Sequence, residues 1–388
     1  MNEAPKSSSV STDPASATDA RPAARGLHDM TRGPVRGHVV RMMLFVLVGM
    51  AIQTLYGLID MYWVGHLGKE AVAAVALSSN LMFVSLAVTQ MLSVGCVALV
   101  SQAAGRGEHD EVQRLFNQAQ SLAGVAGLLF LAVCLALRQT YAGRLSGDAA
   151  TAALSAEFLL GFIPALALQF TMVGLGSALR GIGDMKPGLV AQTGSVLLNL
   201  VLAPFLIFGW WGLPRLGVLG AALASLLATV AAVIGLGIYV SRGRTFLRVR
   251  AQKLIPDLHT WQRMLGIGLP AGAEFLLLAL TIGVTYAVAR PFGPAAQAGF
   301  GIGSRLMQVG FMPAVAISFS VAAVVGQNFG SRSFERVHEA TRESAKLVLV
   351  FMIFFTLICQ LAPERLVAVF SDAPGVIAAG VDYLRTIS

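Results

Sequence analysis

The chain has 388 residues, of which 56% are hydrophobic and only 12% are charged. A soluble domain carries about 25% charged residues, so this chain has too little charge to cover a water-facing surface. The composition therefore excludes an ordinary cytosolic enzyme and indicates a membrane protein.

The amino-terminal residues 1–37 are rich in Ser, Ala, Pro, Thr and Arg and show no hydrophobic periodicity. This composition predicts a disordered tail. The first apolar run begins at Met42 and continues for a full membrane span, which is longer than the apolar region of a signal peptide. We therefore expect an uncleaved first transmembrane helix.

Further apolar stretches follow along the chain, and a helix needs about 20 apolar residues to cross ~30 Å of hydrocarbon. They predict an all-α polytopic membrane protein, with short interfacial helices in the amphipathic stretches after the second and eighth spans. The predicted spans are 40–64, 71–100, 115–138, 155–179, 188–210, 216–241, 263–289, 295–327 and 345–363, with a tenth that starts near residue 374.

The basic residues between these spans predict the orientation. Segments on the side of the amino terminus hold 20 Lys and Arg residues, and the loops on the opposite side hold 6. Cytoplasmic loops carry the Lys/Arg excess in membrane proteins, so we expect the amino terminus in the cytoplasm. The net charge of +8 is thus explained by topology and does not indicate nucleic-acid binding.

The sequence also repeats itself with an offset of 225 residues. Without gaps, 13 of the 49 positions in 66–114 are identical to their counterparts in 291–339, including Gln102 with Gln327 and Gly105 with Gly330. Such parallel repeats occur in transporters and predict two pseudo-symmetric six-helix lobes, at 38–243 and 263–388, joined by a cytoplasmic linker at 244–262. By this repeat the second lobe lacks about 80 residues, so we expect a carboxy-terminally truncated lobe and 9–10 helices of an expected 12.

Ionisable and polar residues inside the apolar runs are the candidate site residues. Charged side chains are costly in a bilayer, so Asp60 and Glu274 are functional candidates by default. A buried carboxylate can carry a proton, hold Na⁺ or bind a cationic substrate. Gln53, Asn80 and Asn199 are uncharged polar residues at membrane depth, where helix–helix hydrogen bonding is the simpler explanation. We predict that Glu274, Gln53 and Asn80 contribute to substrate binding.

The sequence contains no motif of a hydrolase, metalloprotease or nucleotide-binding loop. Its six histidines form no HxxxH pair, and its three cysteines all lie in apolar runs. We therefore expect no enzymatic activity, no metal site and no cofactor.

Five ordered motifs resemble the MATE family of multidrug and toxic compound extrusion transporters. They are LIDMYWVGHLG at the end of the first span, ALRGIGDMKPG after the fourth, NLVLAPFLIFG in the fifth, LGVLGAALAS at the start of the sixth and VVGQNFG at the end of the eighth. The resemblance covers residues from about 38 to 388 and implies twelve helices in two lobes. It also implies an antiporter in which inward H⁺ or Na⁺ drives the export of cationic drugs.

The resemblance extends to individual positions. Asp60 matches the acid of the first span that is thought to take the coupling cation, and Asn199 matches the asparagine of an NxxxDP pattern. Ala203 stands where that pattern has its aspartate, and Ser225 matches a hydroxyl residue that is usually threonine. The implied cation site is therefore Asp60, Asn199 and Ser225 with a single carboxylate, which favours H⁺ over Na⁺.

These observations predict a monomeric antiporter in a bacterial inner membrane that exports amphipathic organic cations and contacts membrane lipids. A flippase for lipid-linked oligosaccharides would share the fold, but it would need several basic residues inside the membrane. A membrane receptor or a membrane-embedded enzyme is a third alternative. It would require a sensor domain or a catalytic motif, and the sequence shows neither.

Overall fold

The computed structural model of the chain describes residues 29–212, 214–243 and 245–388. These residues form helices and no strand, and nine of the helices are long and apolar enough to cross a membrane. The predicted all-α polytopic fold is confirmed. The helices are α1 (Val35–Gly65), α2 (Lys69–Gly105), α3 (His109–Leu145), α4 (Ala149–Gly181), α5 (Lys186–Phe208), α6 (Gly217–Ser241), α7 (Leu258–Ala289), α8 (Pro294–Gly330), α9 (Phe334–Leu361), α10 (Pro363–Ala368) and α11 (Pro374–Ile387).

Several boundaries differ from the predicted ones. The amphipathic stretches after the second and eighth spans are not separate interfacial helices, because they form the first turns of α3 and α9. No proline interrupts either stretch before its apolar run, so the ladder of backbone hydrogen bonds continues into the span. Helix α7 likewise begins inside the predicted linker 244–262.

Part of the predicted disordered tail belongs to the described structure. Residues 1–28 lie outside the described residues. Residues 29–34 precede α1 directly, and the Met30 side chain is only 2% exposed. The ordered chain therefore begins before residue 38, where the sequence places the start of the first lobe.

Helix α4 is central to the first six helices and packs extensively against α2, α3 and α6, whereas α1, within this group, packs mainly on α5. Their main apolar core contains Phe116 of α3 and Phe170 and Leu179 of α4. A smaller core at the ends of α1, α5 and α6 includes Ala203 and Ala221. This second core fixes α5 and α6 against the carboxy-terminal end of α1.

The later helices join the first six mainly through α1 and α2. Helix α8 packs on α1, α2, α9 and α11, whereas α7 lies along α2. Glycines allow α2 and α7 to approach closely: a Cβ on Gly95 would overlap the carbonyl of Met264, and one on Gly268 would overlap the carbonyl of Met91. Small residues at such crossings are typical of helix packing in membranes.

Candidate functional site

The acid predicted for the coupling cation lies near the end of α1. Asp60 is half-buried, and its Oδ1 atom is buried with no hydrogen-bond partner among the described residues. Tyr56 precedes it by four residues, so the two side chains lie on the same face of the helix. The carboxylate therefore lies beside the phenol.

Tyr56 belongs to a network of hydroxyl and amide groups across three helices. The Tyr56 hydroxyl lies 2.8 Å from Oγ of Ser225 in α6. Nδ2 of Asn199 in α5 donates to the same oxygen at 3.1 Å. The Ser225 hydroxyl donates to the Ala221 carbonyl at 3.2 Å. Because a serine oxygen carries one proton and two lone pairs, Ser225 accepts from both Asn199 and Tyr56.

This arrangement leaves a second oxygen without a donor. Oδ1 of Asn199 has no hydrogen-bond partner among the described residues. Water cannot easily replace that partner, because the residue is only 1% exposed. Buried polar atoms nearly always have partners, so each exception calls for an explanation. Two buried acceptors, one on Asp60 and one on Asn199, are suited to a proton or a small cation.

The position of the missing acid is apolar. Ala203 lies one turn after Asn199 in α5 and is fully buried in the core that also contains Val64 of α1 and Ala224 of α6. Within the described residues, Asp60 forms no ion pair. The candidate residues thus supply one carboxylate, one amide and two hydroxyl groups.

The structure does not connect the three predicted substrate-binding residues to this network. Gln53 is exposed on α1, and its Oε1 accepts from Nε2 of Gln192 in α5 at 2.8 Å. Asn80 is exposed on α2, and Glu274 is exposed on α7. Their role in substrate binding stays a prediction.

Sequence reasoning missed Tyr56 and Gln192, which contribute to these contacts. The spacing of Tyr56 and Asp60 was the available signal for the tyrosine, because residues four apart on a helix are neighbours. No comparable signal identifies Gln192, since its partner Gln53 lies 139 residues away along the chain. Within the described residues, no group of three or more His, Cys, Asp or Glu side chains could hold a metal ion.

In the part of the chain that the structure describes, nine helices are long and apolar enough to cross a membrane, and hydrogen bonds between polar side chains join α1, α5 and α6. These features are those of a polytopic membrane transporter. The chain belongs to the MatE family, whose profile matches residues 46–205 and 270–388. This membership confirms the resemblance seen in the sequence motifs.

Individual relatives agree with the family assignment. The chain is 27% identical to the probable multidrug resistance protein NorM of Thermotoga maritima, over 88% of this chain and 74% of that protein. It is 25% identical to the FAD transporter of Shewanella oneidensis, over 90% of this chain and 77% of that protein. A crystal structure of MATE in the bent conformation shares the fold, with a TM-score of 0.84 and 22% identity over 92% of this chain and 79% of that one.

Proposed function

We propose that the protein is an antiporter that exports amphipathic organic cations across a bacterial inner membrane, driven by protons. The observation that carries the proposal is the pair of buried acceptors, Oδ1 of Asp60 and Oδ1 of Asn199, without donors in the described chain. Protonation of Asp60 neutralises its carboxylate, and release of the proton restores the negative charge. Such a group can link proton movement to the shape of the surrounding helices.

A proton fits this site better than Na⁺. Oxygen cages for bare cations need several ligands with matched geometry. Here Ala203 replaces the second acid of the family pattern, and Ser225 already accepts hydrogen bonds from Asn199 and Tyr56. Asp60 is then the only carboxylate offered by this network, and one proton is enough to neutralise it.

The substrate class is supported by relatives. The Thermotoga protein is named as a probable multidrug resistance protein, which supports export of varied amphipathic compounds. The Shewanella relative is named as a FAD transporter, so a flavin dinucleotide is the second candidate substrate. A dinucleotide is anionic, and its transport would require basic groups in the cavity rather than acidic ones.

We further propose a division into lobes at 38–243 and 263–388, with the amino terminus in the cytoplasm. The 225-residue sequence repeat supports the division, and the excess of Lys and Arg in alternate segments supports the orientation. Attachment of a membrane-impermeant maleimide to a cysteine introduced at exposed Gln252 tests the orientation. We expect labelling in inside-out vesicles and none in intact cells.

The function is tested in vesicles that contain the purified full chain. With an imposed pH gradient, we expect ethidium to be transported at the same rate in Na⁺ and K⁺ buffers. Asp60→Asn should reduce transport to the level of empty vesicles, because the amide cannot exchange a proton. Asp110→Asn, which removes an exposed carboxylate at the start of α3, is the matched control and should transport normally.

Three outcomes would contradict parts of this proposal. Full transport by Asp60→Asn would exclude this carboxylate as the coupling group. A requirement for Na⁺ would replace the proton as the coupling ion. Transport of FAD without transport of ethidium would favour the flavin dinucleotide as the substrate.

A further inference from the structure

A short segment before α1 crosses to the second half of the chain. This strap, residues 29–34, reaches the end of α8 and the start of α9. The Met30 backbone N–H donates to Oε1 of Gln327 at 3.1 Å. The Met30 side chain is buried in an apolar cluster with Met42 of α1 and Val324 of α8. The strap is therefore packed and hydrogen-bonded at the end of the bundle where α8 ends and α9 begins.

Gln327 connects the strap to both halves of the molecule. The residue belongs to α8 and is 2% exposed. Its Oε1 accepts from Met30, and its Nε2 donates to the carbonyl of Gly181 at 3.1 Å. Gly181 is the last residue of α4, so one buried amide joins α8, α4 and the strap. Separation of α8 from both α4 and the strap would leave the two polar ends of this side chain without partners.

Two further side chains hold the strap on the second half. Nδ2 of Asn328 donates to the Met30 carbonyl at 3.2 Å. The Arg336 guanidinium of α9 donates to Oδ1 of Asn328 at 3.0 Å and to the carbonyl of Gly33 at 2.8 Å. The strap thus follows α8 and α9 through backbone hydrogen bonds, which do not depend on its own side chains.

The linker before α7 makes the reciprocal crossing. This linker directly precedes α7, the first helix of the second half, but it packs on α3 of the first half. Nε2 of Gln118 donates to the carbonyls of Lys253 and Ile255, each at 2.8 Å. Ile255 lies 225 residues after Met30, which is the offset of the sequence repeat. In each repeat, the segment before the first helix therefore forms hydrogen bonds with the third helix of the other half: the strap with α9 and the linker with α3.

We propose that the strap and Gln327 form a releasable lock. The lock holds the two halves together at the end of the bundle where α4 and α8 terminate. The strap must leave α8 and α9 before the halves can separate there. The inference rests on the proposed function only in assuming that a transporter opens alternately at its two ends. Loss of the lock then shifts the equilibrium toward the state that is open at this end, without any change at Asp60.

A buried reporter cysteine tests the lock without measuring transport. Ser101 of α2 is fully buried, and its Oγ occupies the space that a Cβ on Gly326 of α8 would need. In a chain whose Cys96, Cys134 and Cys359 are replaced by alanine, Ser101→Cys should react slowly with N-ethylmaleimide. Its labelling rate then reports how often α2 and α8 separate.

Three variants release the lock by different routes. Gln327→Ala removes the bridging amide, and Arg336→Gln removes the guanidinium that donates to the strap carbonyl of Gly33. Met30→Asp places a charge in the apolar cluster. We expect each to raise the labelling rate about tenfold, because each removes a buried interaction that favours the closed state. Gln297→Ala, the same change at the opposite end of α8, is the matched control and should leave the rate unchanged.

The outcomes separate the lock from folding defects and from the proposed function. Helical content and a single peak in gel filtration identify the variants that fold, and only these are compared. Labelling at the parental rate in the folded lock variants would overturn the proposal, as would an equal rise in Gln297→Ala. A rise confined to the lock variants supports it even if Asp60→Asn retains full transport.

Discussion

A side chain on Gly105 of α2 would overlap the backbone carbonyl of Gln327 in α8. The reverse contact is also present, because a Cβ on Gly330 would overlap the carbonyl of Gln102. Each member of one contact lies 225 residues from its counterpart in the other. The two copies of the repeat therefore meet through equivalent atoms, as expected about a pseudo-twofold axis.

This contact predicts that a larger side chain at Gly105 or Gly330 destabilises the fold. Gly105→Leu or Gly330→Leu should lower the free energy of unfolding by about 1–3 kcal/mol, because the helices must move apart. Thermal unfolding of the purified protein in detergent measures the effect. Gly124→Leu is the matched control, because nothing lies within 4 Å of a Cβ at that glycine of α3. Equal losses at all three positions would contradict the close contact.

The Ser225 hydroxyl is predicted to hold the polar network together. Ser225→Ala removes the acceptor of both Tyr56 and Asn199, which should cost about 1–3 kcal/mol of stability and slow ethidium transport. Ser225→Thr keeps the hydroxyl and should retain transport. Ser78→Ala is the control, because that buried hydroxyl donates only within its own helix, to Ala74. If Ser225→Ala behaves like the control, the network does not support the site.

Restoring the missing acid should change the response to Na⁺. Ala203→Asp places a second carboxylate one turn after Asn199, in a fully buried position. An unpaired buried charge is strongly destabilising, so we expect a lower unfolding temperature in K⁺ buffer and partial recovery in Na⁺ buffer. Ala203→Asn should show no recovery. An absence of Na⁺ dependence in Ala203→Asp would indicate that Ala203 does not adjoin the cation site.

The linker should stay attached to α3 at mildly acidic pH. The Thr260 hydroxyl and the Arg114 guanidinium donate hydrogen bonds to Asp257 and lower its pKa from 3.8 to about 2. A lowered pKa stabilises the folded state at pH values above the unfolded pKa of 3.8, and this stabilisation is lost as pH falls through the folded pKa. Acidification from about pH 7 to about pH 5 should therefore leave the linker in place.

A nitroxide attached at Gln252→Cys measures this attachment through its mobility. We expect the same spectrum at both pH values in the parent chain. Asp257→Asn should raise the mobility at both, since the amide loses the ion pair with Arg114. Asp110→Asn provides a control of equal charge. A parental spectrum that changes between the two pH values would show that another group governs the linker.

The sequence is sufficient to predict the spans, because apolar length and the absence of charge are local properties. It also indicates Asp60, since a carboxylate in an apolar run stands out without knowledge of its neighbours. The contribution of Tyr56 requires the relative rotation of α1 and α6, which only packing determines. The same holds for Gln192, whose partner lies on another helix.

The strap shows why local composition is an incomplete guide. Residues 29–34 fall in a stretch whose composition predicts disorder, because too few apolar residues are present to form a core of their own. Met30 is ordered by Gln327 and Asn328, which a local reading cannot connect to it. A segment with little intrinsic structure is thus fixed by acceptors and donors that other helices provide.

The crossing of the strap also sets an order of events during synthesis. Met30 and Asn328 are 298 residues apart in the chain, and a ribosome adds about 5–20 residues each second. The strap therefore exists for about 15–60 s before α8 is made, at the same elongation rate. During that interval the first six helices can insert and pack, but the strap cannot form its hydrogen bonds with Gln327 and Asn328. The bundle can close at this end only as a late step of biogenesis.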